Sequence, residues 1–145
     1  MKIAALSLIL LIVGCHSVEN RSYDVNVKND SIKPVTIWLT KNGPPWEAGW
    51  KSPEDLAIES PKNDERIAGV VVPPGKTAST GKIAGQFEPH VDAILRVYLG
   101  QKTFDDLLAV SHDSPDRIDV VLKPGVNQIV VRDDNGSIKA TRIGP

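Results

Sequence analysis

Alternation with a period of two runs through most of this chain and commits it to strands. Val25 and Val27 alternate with Asp24, Asn26 and Lys28, and Val35, Ile37 and Leu39 alternate with Thr36, Trp38 and Thr40. Ala93, Leu95, Val97 and Leu99 are set against Ile94, Arg96 and Tyr98, and Ile118, Val120 and Leu122 against Asp119 and Val121. Successive side chains on a strand point to opposite faces, so each run can bury one face and leave the other for different contacts. Further strands are expected over 67–72, 77–83, 127–132 and 137–142. Turn signals separate them: Asn29-Asp30-Ser31, Pro73-Pro74-Gly75, Ser114-Pro115-Asp116, Pro124-Gly125 and Asp134-Asn135-Gly136. Proline fixes φ and glycine supplies positive φ at such corners. The echo between Val70-Val71-Val72-Pro73-Pro74-Gly75 and Val120-Val121-Leu122-Lys123-Pro124-Gly125 is shared hairpin chemistry. Many short strands with regular punctuation predict an all-β fold, a single antiparallel β-sandwich. The chain is 41% hydrophobic but only 5% aromatic, so the core should be mostly aliphatic. It is expected to hold Val25, Val27, Ile37, Leu39, Leu95, Val97, Val120, Leu122 and Val130.

One short helix is expected over Pro53–Ile58. Ser52 can cap it, proline suits its first position, and Asp55 at the third can answer the cap. The stretch Phe104–Ser111 reads two ways. Phe104, Leu107 and Leu108 share a helical face, while Leu108 and Val110 share a strand face, and the strand is the expectation.

The amino terminus has a different pattern. Ile3 to Val13 is continuously apolar apart from Ser7, behind the single charge of Lys2. This is the layout of a secretory signal, and it falls short of the about 20 residues that span a bilayer. It ends in Ile12-Val13-Gly14-Cys15, which contains the only cysteine in the protein. That tetrapeptide resembles the lipobox of bacterial lipoproteins, a resemblance covering residues 1–15; the alternative is a plain secretory signal with a chance cysteine. The resemblance implies cleavage after Gly14, a diacylglyceryl thioether on Cys15 and acylation of the new amino terminus. It divides the chain into a signal peptide (1–14), a lipidated tether (15–21) and a sandwich domain (22–145). Removing the signal leaves 131 of the 145 residues, enough for one domain with its own core. A tether from His16 to Arg21 would hold that domain only about 20–25 Å from the lipid. In lipoprotein sorting as known for the class, an aspartate after the cysteine retains the protein in the inner membrane. His16 stands there instead, which implies the outer membrane of a bacterial cell envelope.

Charge and cysteine usage exclude several functions. Loss of Lys2 leaves 16 basic residues against 18 acidic ones, without the concentrated positive charge of a nucleic-acid binder. No polybasic run is present to hold an anionic membrane, so attachment rests on the several acyl chains of the anchor. With Cys15 committed to lipid, the domain has no disulfide, thiolate metal site or cysteine nucleophile. His90 and His112 are not at close ligand spacing. Asp133-Asp134-Asn135-Gly136 lacks the alternating order and distal glutamate of a calcium loop and fits an Asn-Gly hairpin. There is no G-x-S-x-G, H-E-x-x-H or glycine-rich phosphate loop. Ser111 and His112 are strand neighbours that would face opposite ways, and Glu54/Asp55 and Asp105/Asp106 suit capping or solvation. Neither a catalytic residue, a metal nor a cofactor is expected.

Recognition has two candidate sources. The loop Asn42–Trp50 carries Trp46 and Trp50 among two prolines and two glycines, and Trp38 lies on the outward side of the preceding strand. Aromatic faces on a stiff loop suit sugar or peptide binding, because they offer large area at low entropic cost. The competing use of Trp46 and Trp50 is as a plug over the sandwich end, which their size favours. Arg96 and Tyr98 share the outward face of their strand, a pairing common at recognition surfaces. Their plainer use is on an exposed sheet face with cross-strand carboxylate pairs. The order of elements also loosely resembles the outer-membrane lipoprotein of type VI secretion systems. The features that carry this are the lipobox, the Pro34-Val35 strand, the short acidic helix at Glu54-Asp55, the Pro74-Gly75 turn and the Ala93–Tyr98 strand. The resemblance implies an immunoglobulin- or transthyretin-like sandwich and a role in secretion-system assembly. These features are general to sandwiches, so no residue roles follow from it. The expected function is a lipid-anchored, non-catalytic binding or scaffolding module with an envelope protein or glycan as partner. The competing class is a small envelope hydrolase, which would need a pocket gathering His90 or His112 with two carboxylates.

Overall fold

The computed structural model describes residues 17–59 and 69–144. The signal segment, Cys15 and His16 lie outside the described residues, as do Ile67 and Ala68 at the start of one expected strand. The described residues form an all-β sandwich of eight strands: β1 (Glu19–Asn29), β2 (Val35–Lys41), β3 (Val70–Val72), β4 (Thr77–Phe87), β5 (Ala93–Leu99), β6 (Arg117–Val121), β7 (Gly125–Asp134) and β8 (Ser137–Ile143). One sheet has the order β4-β1-β7-β8 and the other β3-β2-β5-β6. All pairings are antiparallel except β1 with β7, which run parallel, so the expected antiparallel sandwich contains one parallel pair.

The alternating runs do what their period requires. Val25, Val27, Ile37, Leu95, Val97 and Leu122 are buried between the sheets, with Leu39 and Val120 packed against them. Val130 is a correction. It belongs to the continuous run Ile129-Val130-Val131, where period alone does not choose a face; Ile129 and Val131 join the core and Val130 lies on the opposite face. The tether boundary also moves. Glu19, Asn20 and Arg21 are already strand residues, paired with Phe87, Gln86 and Gly85. At Asn135-Gly136 both residues have positive φ (50° and 89°) between the paired Asp134 and Ser137, the backbone of a tight hairpin.

Two short helices cover the outer face of the β3-β2-β5-β6 sheet. The expected one, α1 (Pro53–Glu59), is capped reciprocally: Ser52 Oγ accepts from Asp55 N, and Asp55 Oδ2 accepts from Ser52 N. The second, α2 (Phe104–Ala109), occupies the stretch expected to be a strand. Thr103 and Asp106 form the same reciprocal cap, and Phe104 and Leu107, three residues apart, are the two residues it buries. That cap resolves a pattern the apolar residues left ambiguous. Among the described residues, no helix is long and apolar enough to cross a membrane.

Candidate functional site

The five residues singled out as recognition candidates divide into three places. Trp50 is in the core. It ends a 3-10 turn, Ala48–Trp50, is 1% exposed, and meets Tyr23 and Phe87 edge to face at centroid distances of 5.4 and 5.1 Å. Its Nε1 donates to Ala84 O at 3.0 Å, and its carbonyl accepts from Thr40 Oγ1 at 2.9 Å. Gly85 gives it room, since a Cβ there would lie 2.4 Å from Trp50 Nε1. Glycine inside a strand often marks such a close approach.

Trp38, Arg96 and Tyr98 come together on the outer face of the second sheet, beneath the helices. Trp38 meets Phe104 of α2 edge to face at 6.2 Å and donates from Nε1 to Lys51 O at 2.9 Å. Arg96 Nη1 donates to Glu54 Oε2 of α1 at 2.7 Å. The register places Asp119 across from Arg96, yet its carboxylate is held in a forked pair by Arg117, at 2.9 and 2.8 Å. Arg117 also stands 3.8 Å from Glu54, so one helix carboxylate faces both arginines. The expected exposed face with cross-strand pairs is corrected: Tyr98 is fully buried, and the Arg96 and Arg117 side chains are 14% and 7% exposed.

The electrostatics of this cluster follow from its burial. Burial alone would raise the Glu54 pKa, but the hydrogen bond from Arg96, backbone donation and the Arg96 charge outweigh it and hold the carboxyl below its ordinary value. Burial raises the Tyr98 phenol, and the nearby Arg96 and Arg117 charges only partly offset this. The Tyr98 hydroxyl and Arg96 Nε are both buried without a partner in hydrogen-bonding geometry. The cluster therefore holds α1 against the sheet through charge while leaving two polar atoms unmatched.

Trp46 is the aromatic residue left at the surface, 45% exposed, on the loop from Asn42 to Glu47. The loop is braced from below. Lys41 is on the inward parity of β2, with a fully buried side chain, and it pairs with Glu47, donates to Gln86 O at 2.6 Å and stands 4.8 Å from the Phe87 ring centroid. Glu47 also accepts from Gln86 N at 2.6 Å. Burial pushes the Glu47 carboxyl up, but Lys41 and the Gln86 amide hold it below its usual range. Gly43 lies against Val91, where a Cβ would fall 2.5 Å from Val91 Cγ2. Asn42 and Asp92 exchange two hydrogen bonds at 3.2 and 2.7 Å.

His90 and His112 stay apart from these clusters. His90 is exposed in the β4–β5 turn with φ 69°, and His112 Nε2 meets its neighbour Asp113 at 2.8 Å with both side chains exposed. Among the described residues, no group of three or more His, Cys, Asp or Glu is placed to hold a metal ion.

Sequence reasoning assigned no role to Arg117, Lys41 or Glu47, and it placed Glu54 in capping or solvation where the structure pairs it with Arg96. Parity could have found Lys41, which follows Val35, Ile37 and Leu39 on the inward face and so requires a buried counter-charge. The link from Glu54 to Arg96 crosses 42 residues and leaves no local signal. No protein-family model matches this chain, and no curated protein matches it significantly.

Proposed function

We propose that this protein is a bacterial envelope lipoprotein, anchored through lipid on Cys15, whose sandwich serves as a non-catalytic binding or scaffolding module. The observation that carries this is Ile12-Val13-Gly14-Cys15 closing a signal-like apolar run. The domain architecture is compatible with it, because β1 starts four residues after Cys15. The non-catalytic part is supported by the state of the polar clusters. Among the described residues, Arg96, Arg117, Glu54 and Asp119 are held in ion pairs with one another, which gives this cluster a structural use. Replacing Cys15 with serine tests the anchor. The variant should accumulate as unprocessed precursor and take up no labelled fatty acid, whereas normal processing of Cys15→Ser would overturn the reading. The partner is an envelope protein or glycan, and the type VI secretion lipoprotein resemblance makes a secretion-system component one such partner.

A further inference from the structure

Once Cys15 is taken as a lipid anchor, chain length limits how far the start of the domain can stand from the bilayer. The bound thioether would sit at the bilayer surface, and Glu19 is the first residue of β1. Four residue steps reach at most about 14 Å when fully extended, so the start of β1 must stay close to the lipid headgroups. The other end of the 11-residue β1 is roughly 33 Å further along the strand.

What lies beside the start of β1 suits a membrane interface. Asn20 pairs with Gln86, and Gln86 N donates to Glu47, the residue after Trp46. The tip sequence Asn42-Gly43-Pro44-Pro45-Trp46 carries no charge. The carboxylate next to it in sequence, Glu47, is turned onto buried Lys41 and the Gln86 amide, so its charge is met within the protein, while Asp92, hydrogen-bonded to Asn42, and Glu88 lie in the neighbouring β4–β5 turn. Val18, just before β1, is a second exposed apolar residue at this end, 46% exposed. Tryptophan favours the interfacial layer because its ring is apolar while its N–H can stay hydrated.

We infer that the Asn42–Trp46 tip rests on the phospholipid surface, with the Trp46 indole inserted at headgroup level as a second, non-covalent contact beside the lipid on Cys15. This rests on the lipoprotein reading. It gives the exposed tryptophan a lipid rather than a protein or glycan as its partner, and it turns the far end of the sandwich, with Ile32 80% exposed, away from the membrane. Basic residues are not concentrated at the tip, so the contact should form on zwitterionic lipid and resist salt.

The test uses the mature protein extracted from its membranes, with the mass of its amino-terminal peptide measured on the same sample. It is reconstituted into phosphatidylcholine vesicles whose acyl chains are brominated near the headgroup, and tryptophan emission is compared with that in unbrominated vesicles. The emission that Trp46→Phe removes should be mostly quenched, and the remaining emission of Trp38 and Trp50 should be little changed. A tryptophan placed at the far end by Ile32→Trp, in the Trp46→Phe background, should stay unquenched. Lipidated protein whose Trp46 emission ignores bromine and stays open to aqueous acrylamide would overturn the inference while leaving the anchor intact. Equal quenching at position 32 would overturn the orientation. An unmodified Cys15 would overturn the anchor, and the inference with it.

Discussion

Truncating Trp50 should unfold much of what Trp46 leaves untouched, although both lie in one nine-residue loop. Trp50 is 1% exposed and packs on Tyr23 and Phe87. Replacing a buried tryptophan with alanine typically costs about 3–5 kcal/mol, combining lost transfer energy with the cavity left behind. Ala84 O also loses its indole partner, an interaction worth roughly 1 kcal/mol. A domain of this size has on the order of 5–15 kcal/mol of total stability, so Trp50→Ala stays folded unless the parent lies near the lower end of that range. Trp50→Phe is the safer probe. It keeps most of the ring volume, loses the hydrogen bond to Ala84, and should cost roughly 1–2 kcal/mol. Trp46→Ala, at 45% exposure, should cost less than about 1 kcal/mol. Urea unfolding followed by far-ultraviolet circular dichroism reads all three. With a slope of about 2 kcal/mol per molar, Trp50→Ala should lower the midpoint by roughly 2 M and Trp46→Ala by less than about 0.5 M. Equal midpoints for the two alanine variants would refute the placement of Trp50 in the core.

Three further substitutions probe the same packing and charge arguments. Gly85→Ala would place Cβ 2.4 Å from Trp50 Nε1 and should destabilise by about 1–3 kcal/mol in the same urea assay; an unchanged midpoint would contradict the close approach. Glu54→Gln leaves Arg96 without its carboxylate, and because the Glu54 side chain is 43% exposed and its charge screened, the change should cost about 1 kcal/mol or less at neutral pH. Because the folded Glu54 pKa lies below its ordinary 4.5, this contribution is present above 4.5 and is lost as pH falls through the lowered value. The gap between parent and Glu54→Gln should therefore narrow in acid, and a gap that widens there would be inconsistent with the ion pair. Tyr98→Phe removes a buried hydroxyl that has no partner, so thermal unfolding should show a neutral or slightly stabilised variant; a loss above about 1 kcal/mol would show that the hydroxyl is matched after all.

The sandwich was legible because strands with one buried face must alternate, and Val25/Val27, Ile37/Leu39 and Leu95/Val97 leave no choice of face. Val130 was not, since three consecutive branched residues satisfy either parity and only pairing with β1 and β8 decides. The Phe104–Ala109 helix escaped because its apolar residues fit two periods. The Thr103 and Asp106 cap that decides it uses the chemistry read correctly at Ser52 and Asp55. Of the candidate site, the outward parity of Trp38, Arg96 and Tyr98 was readable. That this face is roofed by helices was not, because parity says which way a side chain points and nothing of what lies above it. Trp50 and Trp46 could not be separated in advance, because the close approach of Trp50 to Gly85 joins residues 35 positions apart.

Everything said of location turns on one atom, the Cys15 sulfur. The direct measurement is intact mass and fragmentation of the amino-terminal peptide of the mature protein isolated from bacterial envelopes. The expected result is a peptide beginning at Cys15 with a diacylglyceryl group on sulfur and an acyl group on its amine. A mature chain that begins elsewhere, or that carries a free Cys15 thiol, would contradict the lipoprotein reading and release the sandwich from the membrane.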